Sequence, residues 1–183
     1  MTCGLASPLP SGPTMFLVVG LGNADASREL AFESASAAIR KLADRPRENV
    51  IIALGESFPP PMHDAVVAGV VFGCESQAIY QADPSLQVPA TITFSGISDQ
   101  AIMKGRVIGQ SINHARRLVN EPPAMLYPES FAAAASELAG SAGFSIEIWD
   151  EKRLRAEGCR AILAVGRGSS RPSRLIIMRY EGG

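Results

Sequence analysis

An α/β fold is predicted for this 183-residue chain by three features of its sequence. An apolar run, a helical stretch and a second apolar run follow one another between residues 15 and 54. A long helical pattern opens near Ser98 and stops only at Pro122-Pro123. Helix and strand patterns then resume and continue to the last residues. Short apolar strands alternating with amphipathic helices bury their apolar faces best as sheet-and-helix layers.

Residues 1–14 are rich in Gly, Pro and Ser and read as a loose lead-in. They have neither the basic start nor the long apolar stretch of a secretory signal. Met15–Val19 (MFLVV) reads as a buried strand turning at Gly20-Leu21-Gly22. From Ser27 to Ala43, the residues Leu30, Ala31, Ala35, Ala38, Ile39 and Leu42 fall at helical spacing, with Asp25 or Ser27 as the N-cap. Asn49–Leu54 (NVIIAL) is a further apolar strand closed by Gly55. Strand, helix and strand in that order predict a βαβ unit in a parallel sheet.

Pro59-Pro60-Pro61 ends that unit. Met62–Gln77 is helical again, and its Ala65, Ala68, Gly69 and Gly73 predict close approach to a neighbour. Ala90–Phe94 (ATITF) is a third strand. In the long helix Ala101, Ile102, Gly105, Ile108, Ile112, Ala115 and Leu118 share one face, and the double proline forbids continuation. Its length between two α/β segments predicts a rigid connector. Beyond it, Pro128 sits in the first turn of a helix reaching about Leu138 and closed by Gly140. Phe144–Trp149 alternates as a half-buried strand, and Asp150 can cap a short helix ending at Gly158. Ala161–Val165 fits helix or strand, Gly166–Ser170 is a loop, and Arg174–Tyr180 is a final strand in a larger sheet.

Composition narrows the function classes. A net charge of −1 gives no general attraction for phosphate backbones. From Asp150 onward eight basic residues face four acidic ones, a local excess that suits solvated surface or a contact with an acidic partner. No apolar run approaches the ~20 residues that span a bilayer. Cys3, Cys74 and Cys159 are scattered, as expected of reduced thiols in the cytoplasm.

Three segments and one scattered set of residues suggest chemistry, and each lacks a part. Gly20-Leu21-Gly22 follows a strand, yet Asp25 stands where a dinucleotide turn needs its third glycine. Gly55-Glu56-Ser57-Phe58-Pro59 has the outline of a nucleophile elbow, but Pro59 replaces its permissive last residue. Gly166–Arg171 (GRGSSR) could offer amides and guanidiniums to an anion, without the Lys-Ser or Lys-Thr ending of a P-loop. His63, His114 and the cysteines show no zinc-ligand spacing, and no Asp/Glu cluster suits a two-metal site.

Asn113–Phe131 (NHARRLVNEPPAMLYPESF) resembles the leucyl aminopeptidase (cytosol aminopeptidase) family. In that family a helix ends in A-R-D-L-V-N-x-P-x-N-x-x-x-P before the catalytic domain, and Ala115, Arg116, Leu118, Val119, Asn120, Pro122 and Pro128 match it. Ile162–Ser169 is similar to the family's L-L-A-V-G-x-G-S stretch, and Arg174–Tyr180 to the strand after it. Leu17–Gly22 and the helix around Ala68-Gly69 are similar to parts of its N-terminal domain. Arg117 and Ala124 depart from the pattern, replacing an acidic residue and an asparagine.

The resemblance implies a macro-domain-like N-terminal α/β domain over residues 1–97, incomplete at its start. A connector helix over 98–120 and the truncated beginning of a catalytic domain over 121–183 would follow. For the intact protein it implies a cytoplasmic hexamer that removes N-terminal residues from peptides with two divalent ions, manganese or zinc. The family's catalytic and metal-binding residues lie beyond the strand at Tyr180. The expectation is therefore that no catalytic, metal or substrate-binding residue lies in this chain, and that it serves scaffold and oligomer contacts. The alternative is a macro-like module binding ADP-ribose or a nucleotide, for which Gly20–Gly22 is the local hint.

Overall fold

The computed structural model describes residues 2–6, 12–13, 15–22, 25–76, 80 and 86–182. Helices and strands are interspersed along the chain, as the α/β reading requires. They fall into two units, Met1–Asn120 and Glu121–Gly183.

In the first unit β1 (Thr2–Ala6) and β2 (Met15–Val19) form an antiparallel ladder, Thr2 opposite Val19 and Ala6 opposite Met15. The lead-in is thus partly a strand; residues 7–11 and 14 lie outside the described set. Thr-Cys-Gly-Leu-Ala carries little strand propensity of its own, and cross-strand pairing overrides it. β2 is half-buried rather than buried, because Phe16 and Val18 point away from the core.

The parallel pair also differs from the expectation. β3 (Asn49–Ile52) ladders with β4 (Thr91–Phe94), not with β2. Proximity in sequence suggests a partner but does not fix one. Val50 and Ile52, with Ile92 and Phe94, face the same core that Met15 and Leu17 of β2 pack against.

Three helices complete this unit. The Oγ of Ser27 accepts from the Leu30 amide at 3.0 Å, so Ser27 is the cap of α1 (Arg28–Leu42). Two 3-10 turns, Leu54–Ser57 and Pro60–Met62, lead into α2 (His63–Gly73). That helix stops short of Gln77, which lies outside the described residues. α3 (Asp99–Asn120) follows β4, with the Ser98 hydroxyl accepting from the Ala101 amide.

Glycines set how closely these helices pack. A Cβ on Gly69 would overlap the Phe32 carbonyl of α1, and one on Gly73 would overlap the Ile39 side chain. On α3, a Cβ at Gly105 would lie 2.5 Å from the Asp64 carbonyl and one at Gly109 2.6 Å from Val71. α2 therefore runs between α1 and α3 with backbones almost touching. The small-residue side of α2 was legible in the sequence; Gly109 and Asn113, rather than the exposed Ala115, complete the matching face of α3.

The second unit begins with α4 (Pro128–Ala142). It passes through Gly140 and ends at Gly143, whose φ of 74° supplies the left-handed C-cap that an L side chain resists. β5 (Ser145–Trp149) pairs antiparallel with β6 (Leu175–Arg179), Ile146 opposite Met178 and Ile148 opposite Ile176. Between them lie α5 (Glu151–Ala156), capped by Asp150 through the Arg153 amide at 2.8 Å, and α6 (Arg160–Gly166). The ambiguous 161–165 run is thus helical.

Candidate functional site

Neither the three suggestive segments nor the scattered histidines and cysteines assemble a reactive centre among the described residues. Gly20-Leu21-Gly22 turns out of β2, and Gly22 has a φ of 73°, which is what a tight turn asks of glycine. Ser57 lies exposed at the end of a 3-10 turn, and extended Phe58-Pro59 comes straight after it where an elbow requires a helix. His63 is buried, and its Nε2 lies 3.0 Å from both the Gly55 and Phe58 carbonyls. A ring nitrogen facing two acceptors carries the proton, so this atom cannot take one from Ser57.

In the Gly166–Arg171 loop the Ser169 amide donates to the Gly166 carbonyl, and the Arg171 amide to the Ser169 hydroxyl at 3.0 Å. The Arg171 guanidinium lies 3.8 Å from the Tyr127 ring centroid. These are the contacts of a structural loop joining α6 to β6. Cys74 and Cys159 are free thiols, and burial pushes the Cys74 thiol up to about 11, which makes it a poor nucleophile. Among the described residues no three His, Cys, Asp or Glu side chains cluster as a metal site. The two divalent ions implied by the family resemblance find no fitting donor set there.

The organised polar groups serve the helices instead. Asp64, at the start of α2, is buried; its two oxygens lie 2.7 Å from Arg28 of α1 and 2.8 Å from Lys104 of α3. Arg28 also donates to the Pro61 carbonyl at 2.6 Å. Hydrogen bonding from Arg28 is the largest cause that holds the Asp64 carboxyl down at about 2; Lys104 adds to it and burial opposes it. One carboxylate thus ties three helices together. The sequence reading missed it, although an acidic residue opening an otherwise apolar, small-residue helix is a visible signal.

A second tie sits at the other end of α3. Buried Asn113 donates to the Val71 carbonyl at 2.9 Å. Arg116 donates to the Asn113 side-chain oxygen at 2.5 Å and to the Phe72 carbonyl at 3.2 Å, its guanidinium 4.0 Å from the Phe72 ring centroid. Desolvation, then the nearby Arg40, lowers the Arg116 pKa from its ordinary value. Arg117, one of the two departures from the family pattern, pairs with Glu75 at 3.3 Å. Asn113–Arg117, the start of the Asn113–Phe131 segment that carries the resemblance, is therefore a docking segment for α3 on α2.

In the second unit Arg174 pairs with Glu129 at 2.5 Å, tying β6 to α4. The Ser173 amide donates to Glu151 at 3.2 Å. Pro122 opens the unit by accepting from the Met125 and Leu126 amides.

Comparison with known proteins gives these segments a context. Residues 113–183 match the model of the cytosol aminopeptidase family, catalytic domain. A probable cytosol aminopeptidase of Rhodopirellula baltica is 49% identical over 168 residues, covering 91% of this chain and 33% of that protein. The chain belongs to the cytosol aminopeptidase family. A second relative, from Micrococcus luteus, is 36% identical over 91% of this chain and 35% of its own length.

Solved structures agree in fold. The bottromycin maturation enzyme BotP in complex with Mn superposes with a TM-score of 0.86 at 26% identity, over 99% of this chain and 39% of that one. A tomato leucine aminopeptidase mutant superposes with a TM-score of 0.79 at 18% identity, over 97% and 37%. The chain spans about a third of the length of the curated relatives it matches. No helix among the described residues is long and apolar enough to cross a membrane.

Proposed function

We propose that this chain is the non-catalytic N-terminal part of a metal-dependent leucyl aminopeptidase, a cytoplasmic enzyme that removes N-terminal residues from peptides. In this reading residues 1–97 form the N-terminal domain, 98–120 the connector helix and 121–183 the opening of the catalytic domain. The carrying observation is that the catalytic-domain match starts at residue 113, while the chain spans about a third of its relatives. The commitments of His63 and Asp64 to structural contacts support it.

The intact protein would hold two divalent ions, manganese or zinc, which polarise a peptide carbonyl and activate a water. It would assemble as a hexamer, to which this part contributes packing and subunit contacts. The test is leucine-anilide hydrolysis by the 183-residue chain with manganese or zinc. Turnover at background level is the expected result. Robust turnover that a chelator abolishes contradicts the proposal.

A further inference from the structure

The first three helices bring two guanidiniums together on one aromatic ring. Arg40 stands in the last turn of α1, Phe72 in the last turn of α2 and Arg116 near the end of α3. The guanidinium carbons of Arg40 and Arg116 lie 4.8 and 4.0 Å from the centroid of the Phe72 ring. Their separation cannot exceed the sum of those distances, and like charges that close repel. A ring face attracts each cation through its quadrupole but brings no net charge to offset the pair.

The nearby carboxylates are engaged elsewhere. Asp44, just beyond α1, is shared by Lys41 at 4.0 Å, Arg45 at 3.5 Å and Arg47 at 3.4 Å. Glu75 pairs with Arg117 at 3.3 Å. Among the described residues Arg40 makes no ion pair; its contact is the Phe72 ring. The repulsion is felt, since Arg40 is one of the causes that lower the Arg116 pKa. The pair is also held in place. Arg116 is fixed by the Asn113 side chain and the Phe72 carbonyl, and Phe32 packs on the Phe72 ring at 5.0 Å. Groups already held in position lose little freedom when a ligand arrives.

We infer that Arg40 and Arg116 form a binding site for a small phosphate-type oxyanion, seated between their guanidiniums beside Phe72. A tetrahedral oxyanion accepting at about 2.8 Å from each guanidinium bridges a gap of this order, and its double charge matches the pair. The Phe72 ring is taken up by two guanidiniums and Phe32, which leaves no face for a base to stack on. Recognition therefore stops at the phosphate.

The experiment titrates inorganic phosphate into the 183-residue chain by calorimetry, at pH 8 and constant ionic strength set with chloride. Saturable 1:1 binding is expected, with shifted nuclear magnetic resonance signals of the Phe72 ring protons. R40Q changes an exposed residue, and its circular dichroism should match the wild type. It should bind at least about tenfold more weakly, as loss of one charge-assisted partner requires. R45Q removes an equally exposed charge paired with Asp44, and should leave affinity within about twofold. Adenosine monophosphate should bind about as well as inorganic phosphate.

No saturable binding, or binding that leaves the Phe72 ring signals unmoved, overturns the site. So does R40Q binding like the wild type, or R45Q weakening binding as much as R40Q, which would mark a diffuse basic surface. Much tighter binding of adenosine monophosphate overturns the assignment to phosphate alone.

Discussion

The first unit buries Ile39, Val66, Val67 and Val70 completely; among the described residues of the second, Leu154 alone is a large side chain so buried. Full burial of one such residue contributes about 1.5–3 kcal/mol. The first unit presses three helices together through glycines and ties them with Asp64 and Arg116, around strands whose inner residues reach one core. The second has capped helices, a five-residue ladder and ion pairs, but mostly alanines inside. Good local structure and a finished core are separate achievements, and only the first unit has both.

The comparison breaks most sharply at Gly69. G69V would push a branched side chain into the Phe32 carbonyl, so a loss of ~3 kcal/mol or more is expected, read as a lowered urea midpoint. An unchanged midpoint would mean that α1 and α2 do not approach as described.

Asp64 comes next. D64N removes the charge between Arg28 and Lys104, whose side chains are 51% and 65% exposed. Their solvation limits the loss to roughly 1–3 kcal/mol. The sign with pH follows from the carboxyl sitting near 2 instead of 3.8. Its contribution is present above pH ~4 and disappears as pH falls through ~2. Thermal unfolding between pH 7 and 2 should show this acid-linked loss in the wild type, and a smaller one in D64N.

Gly140 gives the smallest effect, of opposite sign. It lies inside α4, with nothing within 4 Å of a Cβ added there. G140A should stabilise the second unit by about 0.5–1 kcal/mol, seen as slower amide exchange in α4. The same kind of residue is indispensable in one unit and replaceable in the other.

Much of this was legible in the sequence where a local rule decides. Ser27 and Asp150 act as caps, Pro122 and Pro123 end α3, and Gly69 and Gly73 mark a close helix approach. What escaped depends on partners far away in the chain. β1 becomes a strand because β2 lies beside it, and β3 pairs with β4 across α2. Gly140 does not end α4, since tolerating a glycine inside a helix costs only about 1 kcal/mol. Of the polar ties, the Arg116 segment stood out by family resemblance. Asp64 did not, because its partners Arg28 and Lys104 lie 36 and 40 positions away on other helices.

The asymmetry between the units has a built-in reporter, since the chain's one tryptophan, Trp149, lies on β5. Its indole donates to Glu147 at 2.7 Å and stacks with Arg153, so its fluorescence follows the second unit. Urea unfolding of the 183-residue chain, monitored by this fluorescence and by far-ultraviolet circular dichroism, separates the two units. The fluorescence change should be complete at a urea concentration where α1, α2 and α3 still hold most of the helical signal. A single transition, coincident by both probes, would mean that the second unit is as well founded as the first, and would contradict this account.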